Sequence, residues 1–141
     1  MTLQEKYGKD RNGAYDPWRI AAICVVLNRT RSSRAESVIE ELLNRCPNRR
    51  SAANVEWGEL ETLLKPLGLS LVHTNTLRRL SEEMACNSWK NEDHPAWDLL
   101  YGVGEYASEA LRLFVDGDTS FEPHDLYLRE YRERTLRGGE T

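Results

Sequence analysis

At 141 residues, of which 40% are apolar and 30% charged, the chain is long enough to bury one substantial core and too short for two, so a single domain over residues 1–141 is expected. No apolar run approaches a membrane span and the opening MTLQEKYGKD lacks a signal-peptide apolar segment, which predicts a soluble intracellular protein with no membrane partner. A formal net charge of −4 gives no overall basic footprint of the kind that nucleic acids attract, yet the basic residues are segregated: Arg29, Arg31 and Arg34 cluster near one loop, and Arg129, Arg132, Arg134 and Arg137 gather near the other end of the chain.

Residues 1–15 are polar, carry Gly8 and Asn12-Gly13, and are expected to be partly loop. Asp16 is a good helix cap and Pro17 a good first helical residue. The following WRIAAICVVL is apolar nearly all round, which predicts a buried central helix. Ser33 with Glu36 has capping-box spacing, and Ala35, Val38, Ile39, Leu42 and Leu43 share one helical face that Cys46-Pro47 closes. Asn54 is expected to cap a short helix with Trp57, Leu60 and Leu64 inward, ending at Lys65-Pro66. Residues 72–86 read as a helix with Leu77, Leu80 and Met84 inward, and the polar stretch 87–94 as a loop. Cys24, Cys46 and Cys86 form no CxxC pair, which argues against a disulfide framework, a zinc site and a four-cysteine iron–sulfur cluster; His73 has no second histidine at metal-ligand spacing.

Pro95 opens a short helix with Trp97, Leu99 and Leu100 as its apolar face, and Gly102-Val103-Gly104 separates it from a second helix that places Ala107, Ala110, Leu111 and Phe114 on one side. Glycine at both positions permits positive φ and close backbone approach. The amides opening the second helix form an electropositive patch suited to a phosphate. A plain turn between packed helices uses the same glycines, so this pair alone says little. Asp116-Gly117-Asp118 reads as a turn, because Asp116, Asp118 and Glu122 lack the twelve-residue calcium pattern. Thr119 or Ser120 is expected to cap a last helix that Pro123 enters, with Asp125 in its first turn and Leu128 and Tyr131 inward.

Taken in order, Asp16-Pro17-Trp18, Leu27-Asn28-Arg29-Thr30, Leu63-Leu64-Lys65-Pro66-Leu67-Gly68-Leu69, Gly102-Val103-Gly104 with Tyr106, and Pro123 with Asp125 make a combination more specific than any one motif. The set resembles the helix-hairpin-helix DNA glycosylases of the endonuclease III superfamily, and among them most resembles the catalytic domain of the methyl-CpG-binding-domain thymine DNA glycosylases. It covers nearly the whole chain, residues 3–134. The resemblance implies an all-α helix-hairpin-helix glycosylase fold, one compact helical domain without an iron–sulfur cluster, with the hairpin at residues 97–115.

The resemblance also implies roles. A base locked in a duplex must be rotated out before its glycosidic bond can be reached. Arg29 is expected to fill the gap it leaves, and Leu69, with Leu67 as second choice, to wedge between bases. Tyr106 and Gln4 are expected to line the base pocket, and Gly102, Val103, Gly104 and Tyr106 to hold the DNA backbone. Asp125 is the expected catalytic carboxylate, stabilising positive charge on the sugar and orienting a water. Tyr106 stands where bifunctional relatives carry a lysine nucleophile, so strand cleavage is not expected.

The implied activity is monofunctional removal of thymine or uracil opposite guanine in base excision repair, by a monomer acting on double-stranded DNA. It needs no metal and no organic cofactor, although hairpin carbonyls can hold a monovalent cation. A nuclear location follows only for a eukaryotic source. Two alternatives stay open: a same-fold glycosylase for another damaged base, and a non-catalytic helix-hairpin-helix module that binds DNA or protein.

Overall fold

The computed structural model describes residues 1–28, 32–68, 70–86 and 97–138. Eight α-helices stand among them, in the order α1 (Leu3–Tyr7), α2 (Pro17–Leu27), α3 (Ser32–Arg45), α4 (Arg49–Asn54), α5 (Trp57–Leu64), α6 (Ser70–Ala85), α7 (Glu105–Phe114) and α8 (Leu126–Gly138). Two 3₁₀ turns, Lys65–Leu67 and Trp97–Leu99, complete the described elements. The all-α class expected from the sequence is therefore observed.

The fold is built on α2. Asp16 caps it by accepting the Arg19 amide at 3.0 Å, Pro17 occupies its first turn, and eight of its 11 residues are buried. A helix apolar on all sides needs partners all round, and α2 has them in α1, α3, α6 and α7. Its polar groups are satisfied: the buried Trp18 indole donates to Ser81 Oγ at 2.8 Å, Ser81 donates on to the Leu77 carbonyl at 2.7 Å, and the Arg19 guanidinium donates to the Tyr7 carbonyl at 2.9 Å. The inward faces expected for α3 (Ala35, Val38, Ile39, Leu42, Leu43) and α6 (Leu77, Leu80, Met84) are all buried. In α8, Leu128 is buried and Tyr131 lies 4.3 Å, centroid to centroid, from Phe114. No helix among the described residues is long and apolar enough to cross a membrane.

Several local expectations are corrected. Residues 3–7 form a helix, held by a reciprocal cap between Thr2 and Glu5, which turns Gln4 inward to 2% exposure. Gly8 ends it where a Cβ would meet the Gln4 carbonyl at 2.4 Å and Ile20 Cδ1 at 2.5 Å, so only glycine lets α1 lie this close to α2. Asn54 ends α4 and does not begin α5, whose cap position is Glu56. Trp57 is 39% exposed, leaving Leu60 and Leu64 as the buried face of α5. Leu99, expected inward, is 76% exposed beside buried Trp97 and Leu100. The Glu36 carboxylate binds Lys6 and Tyr7, joining α3 to α1. The last helix is capped by Asp125 itself, while Ser120 donates its hydroxyl to Asp118.

Candidate active site

The hairpin between the Trp97–Leu99 turn and α7 is shaped by Gly102. Its φ is +82°, and a Cβ there would stand 2.6 Å from Thr76 Cγ2 of α6, so a side chain is excluded both by backbone conformation and by space. Gly104 differs from expectation: its φ is −94° and nothing lies within 4 Å of a Cβ placed there, so neither backbone nor packing requires glycine. It sits at the cap position of α7 with no side chain capping the helix, which leaves first-turn amides facing outward. Val103 is buried, and its amide donates to the Leu100 carbonyl at 3.1 Å, inside the turn. The hairpin rests on α6, where the Tyr101 amide donates to Glu83 and the Arg79 guanidinium lies 4.0 Å from the Tyr101 ring centroid.

From this hairpin α7 runs beside a cleft of about 920 Å³ bordered by α1, the end of α2, Glu36 of α3, α7 and the loop leading into α8. Gln4, Tyr106 and Asp125, far apart in the chain, meet along its wall. Gln4 Nε2 donates to the Tyr106 hydroxyl at 2.7 Å and approaches Cys24 Sγ at 3.6 Å. Burial holds the Tyr106 phenol above its ordinary pKa and pushes the Cys24 thiol up to about 12, with the nearby Asp125 carboxylate adding to both shifts. Both groups are therefore neutral across the physiological range, and Tyr106, having accepted from Gln4, keeps its own hydroxyl proton to donate.

Asp125 sits just outside α8. Its Oδ2 accepts the Leu128 amide at 3.0 Å, which fixes the side-chain rotamer, and Oδ1 is uncommitted among the described residues. The carboxylate is thus part helix cap and part cleft wall.

Two residues in the same place escaped sequence reasoning. Glu109, 8% exposed on α7, accepts the His124 backbone amide through Oε1 at 3.0 Å and meets His124 Nδ1 through Oε2 at 2.8 Å. Glu105, one turn earlier, reaches the same nitrogen at 2.6 Å. The Glu109 hydrogen bond, helped by the charge of Glu105, raises the imidazole pKa above its ordinary value. The donor atoms of Glu105, Glu109 and His124 all lie within 4.8 Å of one another and so form a set that could ligate a metal, although the observed spacings are those of charge-assisted hydrogen bonds around a shared proton. Carboxylates at i and i+4 on α7 and a histidine next to Asp125 were the signals available in the sequence.

Of the remaining expected site residues, Leu67 is half-buried and packs against the core. Arg29 and Leu69 lie outside the described residues, as does Pro95. The arginines near the other end of the chain serve internal contacts: Arg129 donates to the Pro123 carbonyl, Arg132 to the Thr119 carbonyl, and Arg134 pairs with Glu5 at 2.9 Å.

No family model matches the chain. It is 36% identical over 118 residues to a methyl-CpG-binding domain protein 4-like protein of Arabidopsis thaliana, an alignment covering 83% of this chain and 25% of that protein. It is 30% identical over 106 residues to a thymine/uracil-DNA glycosylase of Pyrobaculum aerophilum, covering 74% of this chain and 46% of the relative. The chain thus spans a quarter to a half of the length of these curated relatives. Among solved structures, a thermostable thymine-DNA glycosylase superposes with a TM-score of 0.65 at 20% identity, over 74% of this chain and 49% of that one. Sequence similarity and helical architecture agree: the chain is a homologue of the thymine/uracil-DNA glycosylases and shares their all-helical fold.

Proposed function

We propose that the chain is a monofunctional DNA glycosylase that excises thymine or uracil opposite guanine. The observation that carries this reading is the meeting of Gln4, Tyr106 and Asp125 in one cleft, where a neutral amide–phenol pair lies close to a carboxylate with a free oxygen. A pyrimidine-2,4-dione turned out of the duplex presents an N–H between two carbonyls, and an amide and a phenol are the complementary groups. First-turn amides of α7, after Gly104, bind a backbone phosphate through their dipoles, so the site does not depend on a basic surface. Hairpin carbonyls can take up a monovalent cation.

In the reaction, the C1′–N1 bond breaks with its electron pair leaving on the base, and positive charge develops on the sugar ring. Asp125 faces that charge and stabilises it, and a water whose proton Asp125 accepts adds its oxygen to C1′. The departing base anion takes up a proton from solvent, Asp125 releases the proton it accepted from the water, and the products are the free base and an abasic site. Tyr106 provides no amine, so no Schiff base forms and the strand stays intact. Arg29 and Leu69, with Leu67 in support, hold the vacated duplex open. Neither metal nor organic cofactor takes part in these steps.

The test is single-turnover excision on duplexes carrying one G·T, G·U or A·T pair, with strand breaks scored before and after hot alkali. Breaks at G·T and G·U that require alkali are expected. Excision only of damaged purines would refute the substrate assignment, and breaks without alkali would refute the monofunctional chemistry.

A further inference from the structure

The Glu109 carboxylate grips one residue at two points. One oxygen takes the His124 backbone amide and the other the imidazole Nδ1, so both main chain and side chain of the residue preceding Asp125 are anchored to α7. Asp125 in turn is locked to the first turn of α8 through Leu128. The carboxylate in the cleft is therefore held from both sides, by α7 through His124 and by α8 through its own capping bond. Glu109 is itself buried against the core, whereas the His124 ring is 77% exposed and open to exchange protons with solvent.

The charge on the ring decides how firmly α7 holds this loop. A protonated imidazole donates from Nδ1 into the space between two carboxylates, Glu109 at 2.8 Å and Glu105 at 2.6 Å. A neutral ring either donates to them without its charge or turns a lone pair toward two anions. The groups facing the ring are Glu105 and Glu109 from α7 and Arg129 from α8, with Glu36 of α3 bordering the same cleft; the carboxylates outweigh the guanidinium. We infer that Glu109 and His124 form a protonation-dependent clamp that positions the Asp125 carboxylate, so that excision slows as the imidazole loses its proton. This rests on the glycosylase reading of the cleft, and it makes Glu109 and His124 positioning residues.

The experiment measures single-turnover rate and duplex affinity from about pH 5.5 to 9 for the wild type, Glu109→Gln and His124→Gln, together with a ¹⁵N-detected imidazole titration of His124 in the wild type. The wild-type rate should fall with the same midpoint as the His124 titration, above the ordinary value of 6.5. Glu109→Gln should lower the rate below that midpoint by about ten- to a hundredfold, the scale of a misplaced catalytic group, while changing duplex affinity less than about twofold. His124→Gln, which keeps a donor but cannot titrate, should retain more of the rate and lose the pH dependence. A His124 midpoint at or below 6.5 overturns the clamp. So does a Glu109→Gln enzyme with the wild-type rate and profile, or a His124→Gln enzyme that keeps the wild-type decline. A wild type that excises nothing from any duplex overturns the glycosylase reading instead, and the imidazole titration still decides whether the ion network forms.

Discussion

Replacing Asp125 by asparagine separates the two jobs that this side chain holds. Oδ2 accepts the Leu128 amide at 3.0 Å, and an asparagine carbonyl can accept the same bond, so the cap survives. What the folded state loses is one negative charge at the N-terminus of a 13-residue helix, worth about 0.3–1 kcal/mol, or about 1–4 °C in Tm for a chain of this size. The transition state loses the anion facing a developing cation. Removal of one preorganised electrostatic group costs about 3–4 kcal/mol, which corresponds to about 10²–10³ in single-turnover rate. Asp125→Ala should show a similar rate loss but a further drop of about 1 kcal/mol in stability, because the cap goes too. The pair is checked by thermal unfolding followed by circular dichroism and by single-turnover excision from a G·T duplex. An Asp125→Asn enzyme within about threefold of wild type, at a margin far below the expected electrostatic cost, would refute the catalytic assignment.

Gly102→Ala should destabilise by about 1–3 kcal/mol in urea unfolding, since it meets both φ +82° and the Thr76 methyl at 2.6 Å, whereas Gly104→Ala should leave the midpoint nearly unchanged. Tyr106→Phe removes the acceptor of a Gln4 amide that is 2% exposed, and should cost about 1–3 kcal/mol on the same denaturant scale. Asp118 has its pKa lowered from 3.8 to about 2 by hydrogen bonds from the Ser120 hydroxyl and amide and then from Arg112. A group depressed in the folded state contributes stability that is full above its unfolded value and lost as pH falls through the folded one, so this contribution should disappear between those two values. A carboxyl NMR titration checks the midpoint, which Ser120→Ala should raise.

The residues that could be read from the sequence are those whose surroundings are local. Helix α2 announces itself through Asp16, Pro17 and an uninterrupted apolar run, and Tyr106 and Asp125 stand at recognisable offsets from the hairpin and from Pro123. What could not be read is tertiary. Glu109 and His124 are 15 residues apart and meet only because the chain reverses after Phe114. Helix α4, RRSAAN, carries no apolar period and is fixed by the reciprocal Asn48–Ser51 cap and by Arg49 reaching Asp16. Local preference places the cap of α8 on the Thr119 or Ser120 hydroxyl, but Ser120 is drawn to Asp118 and the carboxylate three residues before Leu128 takes the amide. In the sequence Gly104 reads as constrained as Gly102, and it is the backbone angles together with the room for a Cβ that distinguish them.

A five-residue helix cannot maintain itself in water, so α1 is ordered by what it docks against: α2 beneath it, Glu36 at one end, and Arg134 of α8 across a separation of 129 residues. Gln4 reaches Tyr106 across 102 residues. Contacts of such high order carry a larger chain-closure cost than those within the α2 core. Docking of α1 is therefore thermodynamically linked to whatever fills the space beside Gln4: an occupant that touches Gln4 tightens the first helix, and loosening that helix weakens the occupant's hold by the same free energy.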